Sequence, residues 1–368
     1  MTANDYLHGI IKECKKKEIP YTASFELTPF CNFRCNMCYV RLDPEQAAKQ
    51  GKQLTTEQWI SLAEEAKRMG AFSLEVTGGE AITRADFRVL FKRFIELGYF
   101  IVLRSNGYLI DADMIEFLKQ YRPRSISVTL YGASDETYRK VCGVEDGFTV
   151  VTRNILAMKD AGMAVTITST LTKENEDDYK AMRDWAKEHG FSFVATSTLF
   201  TPIRGAKRSI DHLRVLRDED DTAPDPGPVE RKIPDREKYM DPFWMCRHFG
   251  ARFSISWDGR MTICNSNYAI WCDPFETTLA DAYHSLYREL KAMKRPKECE
   301  SCHFIDLCLE CPGAIYSKSG SFDKVSEAFC RSLRAHYKEL EARRDGEAKS
   351  EGPADNICGE GEPEIHED

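Results

Sequence analysis

The 368-residue chain contains no uninterrupted apolar run long enough to span a bilayer, which takes roughly 18 residues. The sequence therefore predicts a soluble protein with no membrane partner. Its opening, MTANDYLHGIIKECKKKEIP, lacks an apolar stretch closed by a small-residue cleavage site, so a cytoplasmic location is expected rather than secretion. Excess basic charge is also missing: 59 Asp and Glu against 51 Lys and Arg leave a net −8. Binding by phosphate neutralisation wants a basic surface, so no nucleic-acid partner is expected. No internal repeat is visible. A reducing compartment in turn argues against a disulfide framework.

Cysteine, by contrast, is abundant. There are 14, at positions 14, 31, 35, 38, 142, 246, 264, 272, 299, 302, 308, 311, 330 and 358. Clustered spacing of this kind in a cytosolic chain reads as metal ligation.

From residue 21 to about 197, short apolar runs alternate with longer amphipathic ones. YTASFEL (21–27), FSLEVT (72–77), YFIVLRS (99–105), SISVTLY (125–131), MAVTITST (163–170) and FSFVATS (191–197) read as strands. Thr55 to Met69 reads as a helix with Trp59, Leu62, Ala63, Ala66 and Met69 on one face. Thr55 and Gln58 fit a capping box, and Gly70, Gly98, Gly162 and Gly190 sit where helices end. Six strand–helix units imply an α/β fold with a parallel sheet and right-handed crossovers. A closed eight-unit barrel needs about 250 residues, so an open partial (β/α)6, TIM-like barrel is expected, with ligands at the carboxyl ends of its strands. The expected organisation is an extension over 1–20, the barrel over 21–216, an acid- and proline-rich linker over 217–240, and a small metal-organised domain over 241–335. Residues 336–368 are expected to hold the end of a helix and a disordered acidic tail. Within 241–335, helical periodicity returns only at Thr278–Met293.

CNFRCNMC places Cys31, Cys35 and Cys38 straight after the first expected strand. A structural zinc site would want a fourth ligand, and none lies nearby in sequence. Three thiolates on a 4Fe–4S cluster leave one iron free to bind a small molecule and pass it an electron. The motif resembles C-x3-C-x-aromatic-C of the radical S-adenosylmethionine (SAM) superfamily, with Met37 at the aromatic position. That resemblance implies that SAM chelates the open iron and is split by one electron into methionine and a 5′-deoxyadenosyl radical. TGGE (77–80) ends the second expected strand and resembles the family's GGE motif, with Gly78, Gly79 and Glu80 receiving the SAM ammonium; Ala81 stands where proline is frequent. SNG (105–107) and TLYG (129–132) resemble the positions for the SAM ribose and carboxylate, with Asn106, Thr129 and Arg139 as candidates beside ordinary turn and capping roles.

The later cysteines run Cys246, twelve residues, Gly259, four residues, Cys264, then Cys299-x2-Cys302-x5-Cys308-x2-Cys311 and Cys330. A zinc knuckle on the four close ones is the plainer reading, but its spacer is short and it leaves Cys246, Cys264 and Cys330 unexplained. The order resembles the SPASM domain, an extension of some radical SAM enzymes that holds auxiliary 4Fe–4S clusters. It departs from that pattern in having two residues, Leu309 and Glu310, where three are usual. The resemblance implies an outer cluster on Cys299, Cys302, Cys308 and Cys330, and an inner one on Cys246, Cys264 and Cys311. The fourth inner ligand is Cys272 or an open iron. Three 4Fe–4S clusters and SAM are thus the implied cofactors, with flavodoxin or ferredoxin as electron donor. Cys142, in YRKVCG, reads as a buried inert thiol or as an active-site hydrogen donor.

In that family the resemblance implies oxidative modification of peptides or proteins, here a thioether or carbon–carbon crosslink in a ribosomally made peptide. Dehydrogenation of an aminocyclitol or sugar is the alternative, and a non-enzymatic metal-binding module is the outsider. Sulfatase-maturing relatives place an aspartate base after the second inner-cluster cysteine; here it is Asn265, which disfavours that activity. Only 30 residues precede Cys31, too few for a leader-binding domain, so a separate leader-binding protein or direct recognition by the barrel is expected.

Overall fold

The computed structural model describes residues 3–202, 209–215 and 235–334, apart from 245, 247–248, 307, 309, 328–329 and 332–333; of residues 3–8 it gives only the backbone. The expected linker up to 234, the expected tail and Cys358 lie outside the described residues.

Helix α1 (Ala3–Lys17) leads into β1 (Thr22–Glu26), then α2 (Pro44–Gln50), α3 (Thr56–Arg68), β2 (Ser73–Thr77), α4 (Phe87–Glu96) and β3 (Phe100–Ser105). The alternation continues through α5 (Ala112–Gln120), β4 (Ser125–Thr129), α6 (Asp135–Cys142), α7 (Gly147–Asp160), β5 (Val165–Thr170), α8 (Tyr179–Glu188) and β6 (Ser192–Thr196). Short α9 (Arg236–Met240) precedes β7 (Arg252–Ile255), β8 (Met261–Thr262), α10 (Leu279–Lys291) and α11 (Pro312–Ser319). Among the described residues, no helix is long and apolar enough to cross a membrane.

All six expected strands form, and they lie in chain order in one open sheet, β6-β5-β4-β3-β2-β1-β7-β8. Every pairing is parallel except β7 with β8. This is the open, partial-barrel α/β fold expected from the alternation. What the alternation did not reveal is β7, which adds to the free edge of β1 with Thr22 opposite Arg252 and Ser24 opposite Ser254. The cysteine-rich C-terminal segment therefore shares a sheet with the barrel.

The helices form where the sequence provides both a stop and an apolar stripe. Thr55 Oγ1 accepts from the Gln58 amide at 3.2 Å, and Gln58 Oε1 accepts from the Thr55 amide at 2.9 Å, completing the capping box. Trp59, Leu62, Ala63 and Ala66 of α3 are buried, with the Trp59 ring 5.0 Å from that of Phe25 on β1. Met69, expected on the same stripe, instead caps the helix and is only partly buried. Gly70, at φ +107°, turns the chain so tightly that a Cβ would stand 2.7 Å from the Ile19 side chain.

Period-two alternation gives the sheet two unlike faces. Ala23, Phe25, Leu74, Val76, Ile101, Leu103, Ile126, Val128, Phe253 and Ile255 are fully buried in the core. The register puts Ser24, Glu75, Arg104, Ser127, Thr168 and Ser254 on the other face. That face is polar, where a closed barrel would fill its interior with Val, Ile and Leu.

At its centre Glu75 accepts from Arg104 Nη2 at 2.8 Å and from Arg252 Nη2. Burial alone would raise this carboxyl, but Arg252 and Arg104 outweigh it and hold it well below the usual range. Glu75→Gln leaves two guanidinium groups short of an anion and is expected to cost about 3 kcal/mol in urea unfolding. The sign with pH follows from the depressed carboxyl. Its stabilisation is complete above the unfolded-state pKa of about 4.3 and fades as pH falls toward the folded value. The wild-type minus Gln difference should therefore shrink on acidification; a difference that is flat from neutral pH to pH 3 would show that the charge is not what stabilises.

Candidate functional site

The carboxyl ends of β1, β2 and β3 meet at one place. Gly79 N donates to Thr28 O at 2.7 Å and Glu80 N to Phe30 O at 2.8 Å, so the GGE loop lies along the segment entering Cys31. This approach is possible only for glycine: a Cβ on Gly79 would stand 2.3 Å from Phe30 O, and one on Gly78 2.7 Å from Thr28 O. The Glu80 carboxylate is buried and reaches the third strand, accepting from Asn106 N at 2.8 Å, Ser105 Oγ at 3.0 Å and Ile82 N at 3.4 Å. Burial pushes its pKa up to about 7 despite these donors, a state that an incoming cation would relieve. Asn106 Nδ2 donates to Asn32 Oδ1 at 2.8 Å and contacts Cys31 Sγ at 3.7 Å. Gly78, Gly79, Glu80 and Asn106 are thus gathered around Cys31.

The cysteine loop is set by its own backbone. Phe33 N donates to Cys31 Sγ and Arg41 N to Cys38 Sγ, both at 3.3 Å. Amides aimed at sulfur favour thiolates and support cluster ligation, since hydrogen bonds to the sulfurs stabilise an anionic iron–sulfur group. On its far side the loop docks against the end of α6, with Arg34 N to Cys142 O and Asn36 N to Val141 O, each 2.9 Å. Burial first, then Glu80, pushes the Cys31 thiol up. The Cys142 thiol, then burial, holds Cys35 well above the usual range. Ligation would release these protons. Among the described residues no three Cys, His, Asp or Glu side chains converge on a single metal ion. The donor set nonetheless fits a cluster held by Cys31, Cys35 and Cys38 with Glu80 and Asn106 beside it.

The remaining candidates fall elsewhere. Met37 is buried in the core. Thr129 ends β4 on the polar face, its Oγ1 3.4 Å from that of Thr168. Arg139 is half-exposed on α6 and engaged by Glu145, so the structure does not bring it to the group around Cys31. Sequence reasoning left Cys142 open between two roles and missed Tyr131. Cys142 is fully buried and hydrogen-bonds Cys35, and Tyr131 faces Cys35, Cys142, Cys38 and Cys31. The Tyr131 ring lies 6.3 Å from Phe33 and 6.1 Å from Tyr138, edge-on to both. For Tyr131 the available signal was its place at the end of the fourth expected strand, in TLYG.

The later cysteines fall into two neighbourhoods. Cys311 interacts with Cys264 and Cys246, and burial pushes it up to about 11. Gly313 lets α11 close on this group, since a Cβ there would stand 2.6 Å from Ser266 O. Asn265 Nδ2 donates to Ser24 Oγ at 3.4 Å, which brings the group to the polar face of the sheet. Cys299, Cys302, Cys308 and Cys330 line a separate cavity with Arg295, Glu310 and Lys318. Cys272 belongs to neither: its backbone pairs with Met261 and its Sγ lies 3.5 Å from Ala282 O.

Against known proteins, the model of the radical SAM superfamily matches residues 25–186. The chain carries a radical SAM domain. Among curated relatives, the chain is similar to PqqA peptide cyclase of Granulibacter bethesdensis, 25% identical over 47% of this chain and 46% of that one. It is also similar to AdoMet-dependent heme synthase of Methanosarcina barkeri, 27% identical over 46% of this chain and 48% of that one. The chain spans about half the length of the curated relatives it matches. Among solved structures, Streptococcus suis SuiB bound to S-adenosylmethionine superposes with a TM-score of 0.61 at 18% identity, covering 90% of this chain and 83% of SuiB. Native anSMEcpe with bound AdoMet gives 0.60 at 16%, covering 90% and 99%. The likeness in fold therefore runs past the radical SAM domain into the cysteine-rich segment.

Proposed function

We propose that this chain is a SPASM-type radical SAM peptide maturase, working in the cytoplasm, that introduces an oxidative thioether or carbon–carbon crosslink into a ribosomally made peptide. The barrel would occupy 21–216 and the auxiliary-cluster domain 241–335. When bound, SAM on a 4Fe–4S cluster supplies a radical able to take hydrogen from a substrate. The chain's own residues would position it: Cys31, Cys35 and Cys38 as ligands, Glu80 for the ammonium, Gly78 and Gly79 for close backbone approach, and Asn106 and Thr129 for the remaining polar groups.

One observation carries the reading. The polar face of the sheet meets the Cys31 group at the carboxyl ends of its strands, and it meets the segment of Cys264 through the Asn265–Ser24 hydrogen bond. A substrate held on that face would have both a source of the radical and an electron acceptor beside it, the arrangement a net oxidation needs. Two named proteins support a peptide as substrate: PqqA peptide cyclase, and SuiB in its structure with precursor peptide SuiA. Asn265, which cannot take a proton at neutral pH, weighs against the sulfatase-maturing reaction. Flavodoxin or ferredoxin would deliver electrons, and a separate protein could hold the peptide's leader.

The test is anaerobic incubation of the iron-loaded chain with SAM, reductant and a cysteine-bearing peptide encoded beside its gene. The expected result is 5′-deoxyadenosine in step with loss of two hydrogens from the peptide. Peptide-independent 5′-deoxyadenosine with an unchanged peptide mass, together with dehydrogenation of a sugar or aminocyclitol, would overturn it in favour of the small-molecule reading.

A further inference from the structure

We propose that Arg295 is a positioning residue of the outer auxiliary cluster: it donates to the cluster's sulfurs and supplies the positive charge that keeps its reduction potential from falling. This rests on the reading that Cys299, Cys302, Cys308 and Cys330 hold such a cluster.

Arg295 lies just beyond α10, two residues before the short turn Lys297–Cys299 begins. It is only 4% exposed, and it lines the cavity formed by these four cysteines. Nη1 is 3.9 Å from Cys308 Sγ, and the guanidinium also reaches Cys299. Nε and Nη2 have no hydrogen-bond partner among the described residues. A buried guanidinium with two idle donors is costly unless an anion answers it. The second cation on the cavity wall differs in this respect. Lys318 is bound by Glu310 Oε2 at 2.5 Å, so its charge is locally cancelled. Arg295 is left facing the thiols, with no carboxylate bonded to Nε or Nη2 among the described residues.

A cluster on four thiolates gains a further negative charge when it takes up an electron. In a dry cavity that added charge is opposed unless a fixed cation and N–H donors meet it. Charge and hydrogen bonds at the sulfurs are the protein's means of moving such potentials. Arg295 offers both, with a donor set that remains idle until sulfur fills the cavity. Lysine would preserve the charge but not the planar fork.

The test uses the full chain with Cys31→Ala, Cys35→Ala and Cys38→Ala, reconstituted anaerobically with iron and sulfide, so that only auxiliary clusters contribute. Redox titration is followed by electron paramagnetic resonance alongside iron counts. In Arg295→Met the ratio of reduced to oxidised outer cluster at fixed ambient potential is expected to fall about tenfold, 59 mV for one electron, and Arg295→Lys to recover most of it. An unchanged titration in Arg295→Met with full iron overturns the proposal. Loss of about four irons in Arg295→Met but not in Arg295→Lys supports it, because charge rather than shape is then what the cluster needs. Loss in both overturns it, as simple packing. A parent that takes up about four irons instead of about eight, or zinc, has no outer cluster. The ligand reading itself then fails, whatever Arg295 does.

Discussion

Alanine at Cys31, Cys35 or Cys38 is expected to lower 5′-deoxyadenosine formation at least about a thousandfold, roughly 4 kcal/mol or more on the barrier, and to remove about four of about twelve irons. The loss is large because each thiol is one of only three protein ligands in the proposed site. The thiol beside the trio is Cys142, hydrogen-bonded to Cys35 at the end of α6. In Cys31→Ala and Cys38→Ala the amides of Phe33 and Arg41, which donate to those sulfurs, lose their acceptor as well. Cys142→Ala is the informative companion. It removes a buried thiol beside Cys35, and the iron count is expected to hold. If Cys142→Ala sheds the same four irons, Cys142 is itself a ligand and no iron stands open for SAM. Full turnover in any of the three alanine variants would remove the basis of the proposed chemistry.

Glu80 is the second large effect, and here two substitutions separate structure from function. Oε2 accepts from Asn106 N and Ser105 Oγ, whereas Oε1 accepts only the long 3.4 Å contact from Ile82 N. Glu80→Ala strands buried donors at the ends of two strands, and an unsatisfied buried donor costs about 1–3 kcal/mol. A loss of about 3 kcal/mol in unfolding free energy is expected, with loosening of the loop that enters Cys31. In Glu80→Gln the amide oxygen can occupy the Oε2 position and keep the two short bonds, so stability should change by less than about 1 kcal/mol. What the amide cannot do is meet an ammonium with charge. SAM binding should therefore weaken by about 1.5–3 kcal/mol, roughly tenfold to a hundredfold, measured by equilibrium dialysis. Unchanged SAM affinity in a folded Glu80→Gln protein would show that this carboxylate only ties the loops together.

The six strands were legible because each lies in a short apolar run bounded by turn residues, and α3 because its cap and its stripe agree. Strand β7 was not. RFSI is four residues long and sits among cysteines, and the partner that makes it a strand, β1, is more than two hundred residues away. Gly78, Gly79 and Glu80 were read through a motif, and the clash of a Cβ with Phe30 O gives the physical reason for one of those glycines. Arg139 was read the same way, but α6 turns it toward Glu145 and solvent. Cys142 was read as buried or as facing the site, and its contact with Cys35 depends on how the end of α6 meets the cysteine loop.

The sequence by itself determined the parallel α/β alternation, the helix caps and the clustered spacing of the thiols, because these depend on neighbours within a few residues. The tertiary structure decided which cysteines share a cavity, that the C-terminal segment joins the sheet, that the sheet carries a polar face, and that Arg295 is buried with idle donors. Those outcomes depend on groups far apart in the chain, and only the closing of the fold brings their charges and donors within reach of one another.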